Sequence, residues 1–430
     1  MTIKGISLFS GCGGLDLGFE RYNGLLNDKD KQSEYEIIWA NDIDEFAVKS
    51  YAKNFNAEIY DKSDMIYDGG KKVYLGDVRE VDFSKVLKGQ EIDFILGGFP
   101  CQDFSVLRGS DKRKGIEVQR GKLYLEFVRS LEQLQPKVFV AENVKGIKSA
   151  NDGLAFKQII DDFQHLKQNW DDIKKYLQIT YDINRNNLNN YKILFSEVVN
   201  FADHGVPQSR ERLVIIGVRE DLIKNTNRIE ELKNQIYSTL VPEVKFPPLT
   251  PLEMFEGKVL TELQQAYDIL IKKYEGYIRE LGSERAEEYL NEVWPTYTFD
   301  IIKDYVINNK LYDDKQLNDI ILQRHKNALI EVGAYQNTLN EDKKYPDGSN
   351  KVGRTNKSVI ERLKRIPPGE NHVFVKGTEH SVKGLMSNIY RRVHPLIPSP
   401  TIIANGGGGT WGYHYRIDRQ ALTNRERARL

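Results

Sequence analysis

The stretch Ile92-Asp93-Phe94-Ile95-Leu96-Gly97-Gly98-Phe99-Pro100-Cys101-Gln102 decides the fold. An apolar run closed by two glycines reads as a buried strand opening into a tight loop. That loop presents a thiol at a strand end, where α/β sheets build their active sites. Cys101 is therefore a candidate nucleophile; the competing reading is a small buried hydrophobe, the usual state of a free cysteine.

The same strand-to-turn pattern recurs upstream. Ile6-Ser7-Leu8-Phe9 is a short apolar strand, and Ser10-Gly11-Cys12-Gly13-Gly14-Leu15-Asp16-Leu17-Gly18-Phe19 is a glycine-rich turn leading into a helix. A dinucleotide fingerprint needs a third glycine where Asp16 stands, which disfavours a nicotinamide fold. Ile37-Ile38-Trp39-Ala40 ends at Asn41-Asp42, placing a carboxylate at the next strand tip. There it can accept from two ribose hydroxyls or cap the Glu45 to Asn54 helix, and the two roles are compatible. Gly76-Asp77-Val78 supplies a third strand-end carboxylate. Three such tips in sequence order point to a nucleoside cofactor.

Strand patterns at Tyr35 to Ala40, Val73 to Leu75, Ile92 to Leu96, Val138 to Ala141, Tyr191 to Val199 and Leu213 to Val218 alternate with helical ones, predicting a doubly wound α/β core. The pattern changes at Pro242, with a linker at Pro247-Pro248-Leu249-Thr250-Pro251. Leu260 to Val293 then reads as one long Glu/Lys/Tyr-rich helical stretch, Ile301 to Val332 as further helices, and Tyr345 to Thr355 as a loop. The expected division is a catalytic domain over 1–220, a smaller recognition domain over 221–390 and a return segment over 391–430. The chain of 430 residues has a net charge of zero, yet residues 351–430 hold 15 Lys and Arg against 5 Asp and Glu. That basic end is the expected phosphate-facing surface. No stretch is apolar enough to span a membrane, no signal-peptide pattern is present, and two cysteines give no paired framework. A soluble, cytoplasmic, nucleoid-associated protein is expected, with Cys12 a small loop residue of no catalytic task.

With these blocks in view the chain closely resembles the DNA cytosine-5 methyltransferases of bacterial and phage modification systems. Phe9-Ser10-Gly11-Cys12-Gly13-Gly14 resembles their S-adenosylmethionine loop, Gly97 to Gln102 their catalytic loop, and Ala141-Glu142-Asn143-Val144 their acidic motif. Gly205-Val206-Pro207-Gln208-Ser209-Arg210-Glu211-Arg212 resembles their Gln-x-Arg-x-Arg block, and Arg419 to Leu430 the block after their recognition region. The resemblance covers residues 1–220 and 390–430, in family order and spacing. It implies a Rossmann-like methyltransferase core with a smaller target-recognition domain. It implies S-adenosylmethionine as cofactor, S-adenosylhomocysteine as product, and duplex DNA as partner. RNA cytosine methylation and a non-catalytic DNA-binding relative are the alternatives; the long 220–390 block argues against the first.

The chemistry unites these residue types. Cytosine C5 is a poor nucleophile until a thiolate adds at C6 and turns the ring into an enamine. Cys101 is that thiolate by resemblance. Glu142, which a desolvated pocket can keep protonated near neutral pH, is expected to assist at N3; the resemblance implies that Arg212 holds the O2 side and that Arg210 and Gln208 brace the catalytic loop and the backbone. The competing reading pairs Glu142 with Arg210 and leaves Arg212 on the surface beside its strand. The resemblance carries cofactor contacts onto Phe9, which stacks on adenine, and onto Gly11, Gly13, Gly14, Leu15, Asp42, Ile43, Asp77, Val78, Pro100 and Leu123, with Asp77 meeting the exocyclic amine. DNA contacts are expected from Gln102, Ser105, Gln208, Arg391, Arg392 and Thr401. Arg354 and Lys357 join them from a loop of guanidinium, amide and hydroxyl donors, the groups that read base edges and phosphates. Gly407 and Gly408 lie in a glycine run that either lets amides approach phosphate or is a flexible connector. His414 reads as packed or phosphate-adjacent, and no metal site is expected. Family members continue past the Arg425 to Leu430 helix into a further glycine-asparagine-x-valine motif. A second chain supplying it is one expectation and a monomer the other.

Overall fold

The computed structural model describes residues 2–20, 34–100, 123–181, 187–223, 226–243, 245, 247–299, 313–340, 343–353, 355–383, 389–402 and 412–430. Two compact units emerge. The first comprises Met1–Val199 and Glu211–Val241, the second Asn200–Arg210 and Pro242–Leu430.

The first unit is built on strands β1 (Ile3–Leu8), β2 (Tyr35–Asp42), β3 (Glu58–Tyr60), β4 (Lys72–Leu75), β5 (Phe94–Gly97), β6 (Val138–Val144), β7 (Tyr191–Asn200) and β9 (Glu211–Arg219), in the spatial order β3-β4-β2-β1-β5-β6-β9-β7. From β3 to β6 each neighbouring pair is parallel, and β9 returns antiparallel to β6. Strand alternation sends Phe94 and Leu96 to one face and Ile95 to the other, and each joins a different apolar cluster. One face packs against α3 (Phe83–Val86), α4 (Tyr124–Leu134), α5 (Leu154–Gln164) and α6 (Leu166–Leu177). The other receives α1 (Gly14–Glu20), α2 (Glu45–Phe55) and α7 (Thr226–Leu240). Helices on both faces of a mostly parallel sheet make the expected doubly wound α/β architecture. Two boundaries depart from the sequence expectation. β6 continues through Glu142, Asn143 and Val144, because those residues pair with Val214, Leu213 and Arg212 of β9. The first unit extends to Val241 rather than 220, because Ile236, Leu240 and Val241 pack against Phe195, Val199 and Val214.

The second unit is mainly helical, with α8 (Pro251–Glu256), α9 (Gln264–Arg279), short helices at Glu284–Glu288 and Lys357–Lys364, and a helical run over 314–331. The long helical stretch expected over Leu260 to Val293 is divided after α9, where Gly282 turns at φ 56° and Ser283 caps the next helix through Ala286 N. Its core joins Leu249, Leu252, Phe255, Leu260 and Tyr267 to Val393, Leu396, Tyr415, Leu422 and Leu430, so residues 391–430 pack within this unit. Here Gln208–Ser209 (β8) pairs in parallel with Ser399–Pro400 (β10). Among the described residues no helix is long and apolar enough to cross a membrane.

Candidate active site

Register alone gathers the predicted tips. Leu8 pairs with Asn41 and Gly97, Asp42 with Leu75, and Gly97 with Ala141, so β1, β2, β4, β5 and β6 present these positions along one sheet edge. Side chains and amides then stitch the tips together. Ser10 N donates to Asn41 O at 2.9 Å, Gly76 N to Asp42 O at 3.1 Å, and the buried Asn41 amide to Gly76 O at 2.9 Å. Asp42 accepts from Gly11 N at 2.8 Å through Oδ2 and from Asp44 N at 2.9 Å through Oδ1. It does not cap α2, since Asp44 does, accepting from Ala47 N at 2.8 Å. The carboxylate instead holds the glycine loop, and with four acceptor positions it has capacity for a further donor.

Two backbone positions show why this loop has its sequence. Phe9 sits at φ 55°, a left-handed conformation that is unfavourable for a bulky residue and concentrates at functional sites. Gly13 sits at φ 87°, and a Cβ there would lie 2.2 Å from the Phe55 ring. Apolar surface is left bare at two of these positions: Ile43, next to Asp42 in the chain, is 69% exposed, and Leu15, just after the glycine loop, 38%. Asp77, at the third tip, is engaged by Arg79, whose Nε lies 2.9 and 3.0 Å from its oxygens; that guanidinium holds the carboxyl below its usual range. The Val78 side chain is buried in the core, and its carbonyl accepts from Arg129 Nη2 at 2.9 Å. Leu123 is half-buried against the same core and Pro100 half-buried at the start of the loop.

On the catalytic side, Gly97 has no room for a side chain beside Phe127, and a Cβ on Gly98 would stand 3.3 Å from Glu142 Oε2. Glu142 therefore lies against the backbone that leads to Cys101. Its Oε1 pairs with Arg212 Nε at 2.8 Å, and Arg212 Nη1 donates to Glu211 O at 2.8 Å. The competing reading left Arg212 on the surface beside its strand; instead β9 sets Arg212 opposite Val144 and pairs it with Glu142, which is 28% exposed. Asn143, which sequence reasoning left without a role, is buried; its amide donates to Phe99 O at 2.9 Å and its oxygen accepts from Val144 N at 2.8 Å. A signal was present, since both acidic motifs, Asn41-Asp42 and Glu142-Asn143, set an asparagine beside the acid.

Several expected DNA contacts are structural. Arg392 is fully buried, donating to Leu363 O at 3.0 and 2.7 Å, to Arg416 O at 2.9 Å and to His414 O, with Tyr274 stacked against it. A guanidinium can satisfy several carbonyls at once, which makes it an internal cross-link here rather than a phosphate ligand. Gln208 is buried and donates to Leu430 O at 3.0 Å; the Thr401 hydroxyl donates to Ser209 O at 2.9 Å. His414 is buried, and burial holds it well below its ordinary range; its Nδ1 accepts from Arg416 N at 2.9 Å. Lys357 is exposed at the start of its helix, and Arg391 is half-buried with its Nε enclosed and unbonded. Cys101, Gln102, Ser105, Arg354, Gly407 and Gly408 lie outside the described residues.

The profile of the C-5 cytosine-specific DNA methylases matches residues 3–430. The chain belongs to this family. It is 44% identical to the DNA (cytosine-5-)-methyltransferase M.ApeKI of Aeropyrum pernix, over 99% of this chain and 90% of the relative. It is 32% identical to the type II methyltransferase M.NgoFVII of Neisseria gonorrhoeae, over 99% and 76%. With the type II methyltransferase M.BbvI of Brevibacillus brevis the figure is 31%, over 100% and 81%. These matches run through the second unit as well as the first. The protein is a DNA (cytosine-5-)-methyltransferase, and its α/β methyltransferase fold is the one its sheet displays.

Proposed function

We propose that this enzyme methylates C5 of cytosine within a specific duplex DNA sequence, using S-adenosylmethionine and a transient bond between Cys101 and C6 of a flipped-out base. The observation that carries the reading is the Glu142–Arg212 pair set against the Gly98 backbone, two strands joining an acid and a guanidinium beside the loop that bears the thiol. The cofactor fits the β1 edge. Asp42 offers carboxylate acceptors beside exposed Ile43, Leu15 is exposed just after the glycine loop, and positions where Cβ atoms of Gly11 and Gly14 would stand have nothing within 4 Å. When bound there, S-adenosylmethionine supplies an electrophilic methyl group.

In this scheme the Cys101 thiolate forms a bond to C6, and the displaced electron pair makes C5 nucleophilic toward the methyl group. Protonated Glu142 donates to N3 of the ring and Arg212 holds its O2, so the negative charge that develops there meets donors rather than water, and the N3 proton returns to Glu142 when the thiolate leaves. Loss of the C5 proton, to a water in our scheme, expels the thiolate and restores the ring. The base must leave the stack, because a thiol approaching C6 perpendicular to the ring finds both faces covered in duplex DNA.

DNA carrying 5-fluorocytosine at the target cannot lose its C5 substituent, so wild-type enzyme should accumulate a covalent complex. Cys101→Ser should form none and lose methyl transfer while still binding cofactor. Tritium transfer by that variant within tenfold of wild type would overturn the scheme. Flipping is read separately: 2-aminopurine at the target position should brighten when the Cys101→Ser enzyme binds.

A further inference from the structure

Asp16 stands where a dinucleotide fold has glycine, in the first turn of α1 directly after the glycine loop. It is 1% exposed. Ser7 Oγ of β1 donates to its Oδ1 at 2.7 Å, while Oδ2 is enclosed with no hydrogen-bond partner. The loop above it is clamped on the same side, since Gly13 rests against Phe55 and Tyr51 of α2. Three groups face the carboxyl: Ser7 of β1, Tyr51 of α2, and Glu20 of α1, itself bound by Lys71 at 2.5 Å. None of the three brings a positive charge.

We propose that Asp16 is a specificity-determining residue that favours the sulfonium-bearing methyl donor over the thioether product, and that donor binding drives a proton off its carboxyl group. The proposal rests on the cofactor reading above, which places the ligand on the loop over Asp16. Donor and product share the nucleoside, the amino group and the carboxylate; a single positive charge on sulfur separates them. A buried carboxylate without a counter-charge is held toward its neutral form, and a cation nearby stabilises the ionised one. Burial pushes Asp16 up to about 6, so the group changes state near working pH. A unit positive charge brought near such a group shifts the equilibrium toward the ionised form, about tenfold for each 1.4 kcal/mol of attraction. By reciprocity the ionised carboxylate strengthens donor binding by the same factor. The thioether product gains nothing from it, so the device favours exchange of spent product for fresh donor.

The test uses the full chain and titration calorimetry near pH 6, in buffers of different ionisation enthalpy, with S-adenosylmethionine and S-adenosylhomocysteine as probes. Donor binding should release up to about half a proton more than product binding. The donor-to-product affinity ratio should rise severalfold between pH 5 and 7.5. Asp16→Asn should abolish the extra proton and flatten the ratio while both ligands still bind. Equal proton release by donor and product in the wild-type enzyme would overturn the proposal without recourse to any variant. Failure of either molecule to bind would overturn the cofactor reading and this proposal with it.

Discussion

Asp16 keeps its carboxyl under the glycine loop beside Ser7 and Tyr51, and burial pushes it up to about 6 from 3.8. The folded state thus prefers the protonated acid. As pH rises from about 4 to 6 the unfolded chain sheds the proton more readily, so stability falls across that window and stays lower above it. Asp16→Asn should remove this slope and raise stability at pH 7 by about 2–3 kcal/mol, the linkage equivalent of the shift. Urea midpoints at pH 4.5 and 7 check it; an Asn variant less stable than wild type at pH 7 would show that the carboxyl contributes favourable contacts instead. Neither Asp16's burial nor the split fates of Arg391 and Arg392 could be read from the sequence. The two arginines are adjacent, yet Arg392 is claimed by carbonyls of Leu363, His414 and Arg416, 22 to 29 positions away.

Helix α2 separates two aspartates that look interchangeable in Asn41-Asp42-Ile43-Asp44. Asp44 has the extended backbone of an N-cap, φ −85° and ψ 117°, and satisfies Ala47 N, whereas Asp42 turns back to Gly11 N. Asp44→Ala should lower unfolding stability by about 1 kcal/mol, the usual loss of a cap, with cofactor affinity unchanged. Asp42→Ala should weaken S-adenosylmethionine binding by about 1–3 kcal/mol, the range for a hydrogen bond to a charged acceptor. Calorimetry on the pair separates the roles; equal cofactor losses in both variants would mean that α2 as a whole, not Asp42, supports the ligand. The strands themselves were legible because apolar runs and glycine turns are local. Their ends were not: β6 is prolonged past Ala141 only because β9, about seventy residues later, offers Val214, Leu213 and Arg212 as partners.

Charge is divided unevenly along the whole chain, with residues 351–430 at +10 and the rest at −10. If that segment meets DNA phosphates, affinity should fall steeply with salt, by about a thousandfold between 50 and 200 mM for roughly six contacts; a shallow slope in fluorescence anisotropy would argue against it. A second whole-chain property lies in the second unit's core, where His325 is fully buried. Its Nδ1 stands 3.0 and 3.2 Å from the Glu253 carboxylate and its Nε2 2.9 Å from Pro247 O. Both nitrogens face acceptors, an arrangement that the doubly protonated ring satisfies. Burial alone would push it toward neutrality, but the Glu253 charge and these bonds outweigh that and raise it above 6.5. Glu253 also accepts from Thr250 N and Leu260 N, both at 2.9 Å, so one ion pair ties residues 247–260 to the 314–331 helical run. Because the folded value is raised, this stabilisation is fully present below 6.5 and is lost as pH climbs through the folded value. His325→Ala leaves a buried carboxylate without its cation and should destabilise by about 3–5 kcal/mol at pH 6, with a smaller penalty at alkaline pH, where the wild-type ring has already lost its proton. Urea midpoints of both proteins from pH 6 to 9 measure the difference, and a penalty that did not shrink with rising pH would show that His325 acts through packing rather than charge.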